Sequence, residues 1–305
     1  MESFLLFLIA VFTAPFFSGI ILKTKAFFAG KQGPSVFIPY YTLIKLFGKG
    51  SVYSKSTTYI FKLSPMMSLT IGLLILLFFP FAGHPSVMSF NGDILVIVYF
   101  LALGRFFTIL AALDTASPFE GMGAAREAYF SIIAEATLFM ILLLFYLINK
   151  DLNLSSFFIQ EKSIYLWKVA GASLVFIIVS LFMLLLAENS RVPVDDPATH
   201  LELTMIHEVM ILDHSGPDLA LIELGASLKL LFYASFIARL VFPFDCGHIL
   251  FNSFFFFMTV SIVYIVIGIT ESITARFKMP NIPIFIMMSF ALAFFATVFN
   301  WEFIL

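Results

Sequence analysis

Long apolar runs separated by polar segments dominate the chain. Eight of these runs approach the ~20 residues that a helix needs to cross the hydrocarbon core of a bilayer. They are too long for barrel strands and do not alternate between apolar and polar residues. The pattern therefore predicts an all-α integral membrane protein with about eight transmembrane helices, at roughly residues 3–22, 64–82, 93–112, 126–148, 165–187, 224–244, 252–271 and 283–303.

Two of the polar segments are long, at about residues 23–63 and 188–223. Gly and Pro interrupt the first, although residues 40–46 could form a short amphipathic helix at the membrane interface. In the second, two prolines precede a helical run expected from about residue 198 to 211. We find no internal repeat, so the inverted-repeat architecture of many transporters gains no support. We interpret residues 1–305 as a single membrane domain.

Composition narrows the possible functions. Hydrophobic residues make up 61% of the chain and charged residues 12%, whereas a soluble domain carries roughly 25% charged residues. The single cysteine, Cys246, cannot supply the several thiolates of an iron–sulfur cluster or a structural zinc site. We therefore expect no cofactor or metal in this chain and place redox chemistry in other subunits. No basic stripe is present for nucleic acid, and we interpret Gly121-Met122-Gly123 as a turn between helices.

The distribution of Lys and Arg predicts an orientation in the membrane. The first, third, fifth and seventh connections contain nearly all of the Lys and Arg residues that lie between the predicted spans, whereas the even-numbered connections contain only Lys150 and Lys162. Positively charged connections usually face the cytoplasm. Both long loops are therefore expected on the cytoplasmic side of the inner membrane, with both termini of this multi-pass chain on the opposite side.

Several ionisable residues lie inside the predicted spans or at their ends. Glu127 and Glu135 are eight residues apart, which places them on roughly one face of the fourth helix, and Arg105 enters the same half from the third. A charge at the bilayer centre costs about 2.5–3.5 kcal/mol on insertion scales, so such residues usually face the bundle interior and pair. They are either structural ion pairs or a ladder of carboxylates that passes protons.

Titratable residues are also concentrated in loop 188–223, which contains eight of the chain's 19 Asp and Glu residues together with His200, His207 and His214. His200 and His207 are seven residues apart, roughly 10 Å along a helix, so one metal ion would not bind both. Their imidazoles suit a proton relay among carboxylates. Ordinary hydrogen-bonded loop histidines would fit the sequence equally well.

The chain resembles, over nearly its whole length, the membrane subunit shared by energy-converting NiFe hydrogenases and formate hydrogenlyases. This subunit is a relative of subunit 1 of respiratory complex I. Five segments carry the resemblance and occur in the expected order. The segments are KQGP (31–34), IKLFGKGSV (44–52), LDTASPF (113–119), GAAREA (123–128) and ENSRVPVDD (188–196). The respiratory form usually carries Glu where this chain has Ala198 and His200, and its second cytoplasmic connection lacks the LDTASPF and GAAREA pattern. Both differences favour the hydrogenase branch.

The resemblance implies a coupling role without catalysis by this chain. Such a subunit docks a hydrophilic arm formed by an iron–sulfur small subunit and a NiFe-type large subunit, which hold the iron–sulfur clusters and the NiFe centre. Its buried acids pass the energy of electron transfer to antiporter-like membrane subunits. Carried onto this sequence, the proton relay comprises Glu127, Glu135, Glu188, Glu202, Glu208, Asp114, His200, Glu271 and Lys229. The interface with the arm comprises Lys31, Lys45, Arg126, Arg191 and Asp195.

Two alternatives remain open from the sequence. The same scaffold could serve a hydrogenase-related or complex I-like complex that lacks nickel and reduces a quinone or a sulfur compound. A stand-alone ion transporter would instead need a site at the bilayer midplane, usually on broken helices, and the acids here cluster toward the cytoplasmic half. The sequence does not distinguish protons from sodium ions as the translocated ion.

Overall fold

A computed structural model describes residues 2–158, 160–196, 205–243 and 248–300. Its elements are all helices, in the order α1 Glu2–Phe28, α2 Ile38–Phe47, α3 Tyr59–Leu77, α4 Asp93–Asp114, α5 Pro118–Asn149, α6 Leu154–Phe157, α7 Gln160–Glu188, α8 His207–Met210, α9 Pro217–Val241, α10 Ile249–Ile273 and α11 Asn281–Phe299. The predicted all-α class is confirmed for the described residues.

Eight of these helices are long and apolar enough to span a bilayer, as the hydrophobic pattern predicts. They are α1, α3, α4, α5, α7 from Ala170 onward, α9, α10 and α11. Backbone dihedrals at Ala170 depart from helical values and separate the spanning part of α7 from its first turns. The chain is therefore a multi-pass membrane protein.

Two spanning helices begin earlier than the apolar runs indicate. Helix α5 starts at Pro118 and α9 at Pro217, each with proline in the first turn, where its missing N–H costs nothing. The predicted turn at Gly121-Met122-Gly123 is wrong, because this segment lies inside α5. A Cβ atom at Gly123 would lie 2.2 Å from Cγ1 of Val209, so this glycine lets a distant loop pack directly on α5.

The long loops contain less regular structure than the spans. The short helix expected within residues 40–46 is present as α2, residues Ile38–Phe47. Between α7 and α9 the only helix among the described residues is α8, His207–Met210. The longer run expected from 198 to 211 falls partly on residues 197–204, which lie outside the described residues, and residues 205–206 and 211 are not helical.

The described parts of the odd-numbered connections meet at one end of the bundle, a surface here called the loop face, formed by residues 29–58, 115–117, 189–196, 205–216 and 274–280. The backbone N–H of Val52 donates to Oγ of Ser215 at 3.3 Å, and the N–H of Phe277 donates to the carbonyl of Pro193 at 2.9 Å. The described even-numbered connections meet at the far end, where Oγ of Ser86 and Oγ of Ser155 are 2.8 Å apart.

Close helix crossings hold the spans together. Helix α3 packs against α4 and α9, α11 packs against α5 and α7, and α1 packs against α10. At the α3–α9 crossing a Cβ atom on Gly225 would lie 2.5 Å from Oγ of Ser68. Small residues permit this close approach. Membrane helices depend on such packing, because lipid surroundings remove the hydrophobic drive for helices to associate. The helices α3, α4, α5, α7 and α9 thereby surround one charged interior region.

Candidate functional site

A cavity of about 190 Å³ lies between α3, α4, α5, α7 and α9, next to α8. One side is apolar, with Ile71, Ile75 and Leu101 among its residues. The other side is ionisable and carries Arg105, Glu127, Glu188, His207, Glu208, Glu223 and Lys229. At about 30 Å³ per molecule, the cavity has room for several waters among groups that can bind them.

Arg105 of α4 is the centre of one ion-pair cluster. Its guanidinium donates to Glu188, at the end of α7, and to Glu135 of α5. Nζ of Lys229 lies 2.8 Å from Oε2 of Glu188 and donates to the carbonyl of the same residue at 2.7 Å. Two cations and two carboxylates balance, so four helices share a neutral cluster whose mutual attraction offsets the cost of burial.

His207 of α8 is the centre of a second cluster. Its Nε2 lies 3.2 Å from Oε2 of Glu127, and its Nδ1 lies 3.4 Å from Oδ2 of Asp195. Asp195 is fully buried and also accepts hydrogen bonds from the backbone N–H of Ile206 and of His207, at 3.2 and 2.9 Å. Arg276 donates to its other oxygen at 2.7 Å. The fifth and seventh connections thereby meet α5 through charged contacts.

The charge states around α8 follow from these contacts. Burial alone would lower the pKa of His207, but Glu127 and Asp195 together raise it to about 10, so the imidazole is protonated at neutral pH. Burial opposes ionisation of Asp195, yet His207 and Arg276 leave its pKa below the usual range. Burial and then the charge of Asp195 raise the pKa of Glu208 to about 7. Glu208 is therefore a cavity carboxyl that exchanges protons near neutral pH.

His214 behaves differently from His207. Its ring stacks on Phe61 with centroids 3.9 Å apart, and burial lowers its pKa to about 4 although Asp218 and Asp213 oppose the shift. It is neutral at physiological pH. The two histidines of the described loop therefore have different roles, one as a cation among carboxylates and one as a flat packing surface.

A third cluster lies between α1, α10 and the fifth connection. Both oxygens of buried Glu271 are engaged, one 2.9 Å from Nζ of Lys25 and the other 3.5 Å from Arg191. Arg126 of α5 donates to the carbonyl of Met205 at 2.9 Å. These contacts attach the fifth connection to the spans at points outside the cavity.

The structure brings together part of the relay set expected from the sequence. Glu127, Glu188, Glu208 and Lys229 line the cavity, and Glu135 joins it through Arg105. Glu271 lies in the separate cluster with Lys25. Asp114 does not line the cavity; its carboxylate accepts from the backbone N–H of Thr58 at 2.6 Å, at the start of α3. His200 and Glu202 lie outside the described residues.

The five residues expected at the interface fall into two groups. Lys31 and Lys45 are exposed on the loop face, whereas Asp195 is fully buried and Arg126 and Arg191 make contacts within the chain. Their role at an interface stays a prediction.

Sequence reasoning omitted three participants from the site: His207, Glu223 and Arg276. His207 was considered as one of two imidazoles suited to a proton relay but was not placed in the site, and nothing local indicates that it meets Glu127. Arg276 contributed only to the orientation. Glu223 is the last carboxylate of the acidic loop and lies in the second turn of α9. Within the described ranges, no group of His, Cys, Asp and Glu side chains has the geometry of a metal site.

Comparison with known proteins gives full-length relatives. The chain is 28% identical over 297 residues to hydrogenase-4 component C of Escherichia coli (strain K12), covering 95% of this chain and 92% of that protein. It is 27% identical over 292 residues to formate hydrogenlyase subunit 4 of the same organism, covering 93% of each. NADH-ubiquinone oxidoreductase chain 1 of Aedes aegypti is 29% identical over 223 residues, covering 73% of this chain and 67% of that protein.

The fold also matches a solved structure. A chain of the membrane-bound sulfane sulfur reductase, an archaeal respiratory membrane complex, superposes with a TM-score of 0.81 at 17% identity, covering 98% of each chain. The family model for NADH dehydrogenase matches residues 1–301. With eight apolar helices, relatives aligned over nearly its full length and this family match, the chain belongs to the NADH dehydrogenase family.

Proposed function

We propose that the chain is the membrane anchor and coupling subunit of a hydrogenase- or formate hydrogenlyase-type complex. Its relatives over nearly the whole length carry those names. The observation that carries the proposal is the charged cavity, because its ionisable side reaches from the loop face, at Glu208, to the interior cluster around Arg105. A subunit that transmits redox energy to ion movement needs such a path through an apolar bundle.

The residues have distinct roles in this proposal. Glu208 exchanges protons at the loop-face side of the cavity, since its pKa is about 7. Glu127 and Glu188 bind protons deeper in the same cavity, and Glu135 extends the series beyond Arg105. Arg105, Lys229 and protonated His207 hold these carboxylates in place and set their affinity for protons. Water in the cavity would bridge groups that do not touch.

The loop face docks the arm. Its exposed lysines, Lys31 and Lys45, suit an acidic partner surface. The partners are an iron–sulfur small subunit and a NiFe-type large subunit, which hold the redox cofactors, together with antiporter-like membrane subunits that receive the transmitted energy. The loop face then lies on the cytoplasmic side of the inner membrane, in agreement with its surplus of Lys and Arg, and both termini lie on the other side.

A second candidate is a related complex that lacks nickel and reduces a quinone or a sulfur compound. The 29% identity to NADH-ubiquinone oxidoreductase chain 1 favours keeping it. A stand-alone transporter is the weakest candidate; it requires ion flux from the purified subunit alone in liposomes, and a lack of flux there would exclude it.

The first experiment isolates the tagged protein with its native partners in mild detergent and assays nickel and hydrogen-dependent dye reduction. Nickel together with hydrogenase activity supports the proposal. Iron–sulfur clusters without nickel support the second candidate. A bare subunit contradicts both.

The coupling role is tested in the same complex reconstituted in liposomes. Glu135→Gln removes an acid that contacts Arg105, and we expect it to lower the number of ions translocated per electron at least about tenfold, with electron transfer retained. The matched control is Glu2→Gln, which changes a carboxylate at the far end of the bundle that lies 3.6 Å from Nδ1 of His84. Equal coupling in both variants would contradict the proposed relay.

A further inference from the structure

Glu127 is a cavity carboxylate of a spanning helix that contacts a residue of the loop face directly. It lies in α5, but its charged partner, His207, belongs to α8 in the fifth connection. His207 in turn contacts Asp195, which belongs to the same connection, and Asp195 is held by Arg276 of the seventh. The four side chains alternate in charge and form a continuous chain of contacts from the surface loops to the cavity.

Several further contacts hold these four side chains in place. Asp195 is fully buried and accepts five hydrogen bonds or ion contacts, three of them from the backbone N–H groups of Asp196, Ile206 and His207. The segment that contains α8 packs directly on α5. The approach is so close that a Cβ atom at Gly123 would lie 2.9 Å from the carbonyl oxygen of Ile206. A displacement of either connection would therefore act on Asp195 or on the packing of this segment against α5.

We propose that His207 positions Glu127 by direct contact, that Arg276 acts on the same carboxylate through Asp195 and His207, and that movement of the fifth or seventh connection reaches the cavity through this bridge. The inference rests on the proposed function, in which the loop face docks a partner and the cavity carboxylates bind protons. It adds the physical connection between the loop face and the cavity carboxylates.

Two variants test the bridge from its two ends in the assembled complex. His207→Gln keeps hydrogen bonding and removes the charge, and Arg276→Gln removes the support of Asp195. The first readout is the rate at which a hydrophobic carbodiimide labels Glu127, followed by mass spectrometry. Loss of one charged hydrogen bond changes the equilibrium between held and released Glu127 by about tenfold. The rate at which Glu127 is labelled should therefore rise about tenfold in either single variant, and it should rise no further in the double variant.

Charge-retaining variants and a local control separate positioning from general damage. His207→Lys and Arg276→Lys should bring labelling back toward the original rate, whereas a merely structural role would leave them as damaged as the Gln variants. Lys278→Gln removes an exposed cation from the same connection as Arg276 and should change nothing. If labelling of Glu127 is the same in all variants, or if the two Gln variants act additively, the bridge is wrong.

The second readout distinguishes the bridge from the proposed function. Ions translocated per electron should fall in the Gln variants and recover in the Lys variants. If labelling responds as expected but the unaltered complex translocates no ions, the bridge stands and the coupling role fails. If translocation is present and labelling of Glu127 does not respond, the coupling role stands and the bridge fails.

Discussion

Glu208 lies in the cavity next to protonated His207, and the pKa of Glu208 is nevertheless raised. Burial is the main cause, and Asp195 outweighs the opposing influence of His207. The two neighbours in sequence thus differ in kind: His207 remains charged up to about pH 10, whereas Glu208 changes charge near pH 7. Glu208 therefore changes its protonation near neutral pH while His207 keeps its charge and its contacts with Glu127 and Asp195.

The raised pKa of Glu208 predicts a pH dependence of stability. A carboxyl whose pKa rises from 4.5 to about 7 on folding binds more protons in the folded state within that window. Its contribution is therefore fully present below pH 4.5 and is lost as pH rises through about 7. We expect Glu208→Gln to lose less thermal stability than the unaltered protein between pH 5 and 8, measured by unfolding in detergent.

The control for this test is Thr108→Val, which changes a side chain of the same cavity that does not titrate. It should leave the pH profile as it was. An identical profile for Glu208→Gln would show that the carboxyl of Glu208 titrates in its ordinary range.

At the scale of the element, the apolar pattern predicted every spanning helix but not where two of them begin. Hydropathy marks the length of helix that lies in hydrocarbon, and the polar first turns of α5 and α9 extend beyond it. The role of two glycines in α5 likewise could not be read from the local sequence. Gly121 and Gly123 look like turn residues in sequence, and only the packing of α8 against α5 explains the second.

The α3–α9 crossing gives a prediction for a single helix pair. A Cβ at Gly225 would lie 2.5 Å from Oγ and 2.7 Å from the carbonyl oxygen of Ser68. Gly225→Ala should therefore separate the helices and lower the free energy of unfolding by about 1–3 kcal/mol, measured by denaturant titration in detergent micelles.

Gly121→Ala is the matched control, since nothing lies within 4 Å of a Cβ at that position. Alanine is favoured over glycine in a helix by about 1 kcal/mol, so this variant should keep or gain stability. Equal losses at both glycines would indicate that the crossing is not tight.

For the whole molecule, the sequence indicated the chemistry of the site but not its partners. Acids in the half of the bundle predicted to be cytoplasmic, together with the family motifs, pointed to Glu127, Glu135 and Glu188. The contact between Glu127 and His207 joins residues 80 positions apart, and no local periodicity contains such information. Pairing of distant connections at the loop face decides which acids share the cavity.

The loop face gives a prediction about assembly. Reversing both exposed charges, with Lys31→Glu and Lys45→Glu, replaces attraction by repulsion toward an acidic partner. We expect association of the arm to weaken about tenfold at low salt and the difference to shrink as ionic strength rises. The measurement is the amount of arm retained on the tagged membrane subunit across a salt series.

Lys150→Glu, a charge reversal at the far end, should leave retention unchanged. If the double variant retains the arm as well as this control does at every salt concentration, these lysines do not contribute to docking.

The even number of spans has a practical consequence. Helix α1 begins beside His84 at the far end, where Glu2 lies 3.6 Å from that imidazole, and α11 runs from the seventh connection back to the same end. An affinity handle or fluorescent reporter joined to the first turn of α1 or the last turn of α11 would start at the end of the bundle opposite the loop face. Purification through such a handle leaves the proposed docking surface uncovered, and protease shaving of fused reporters in sealed vesicles would reveal which compartment that surface faces.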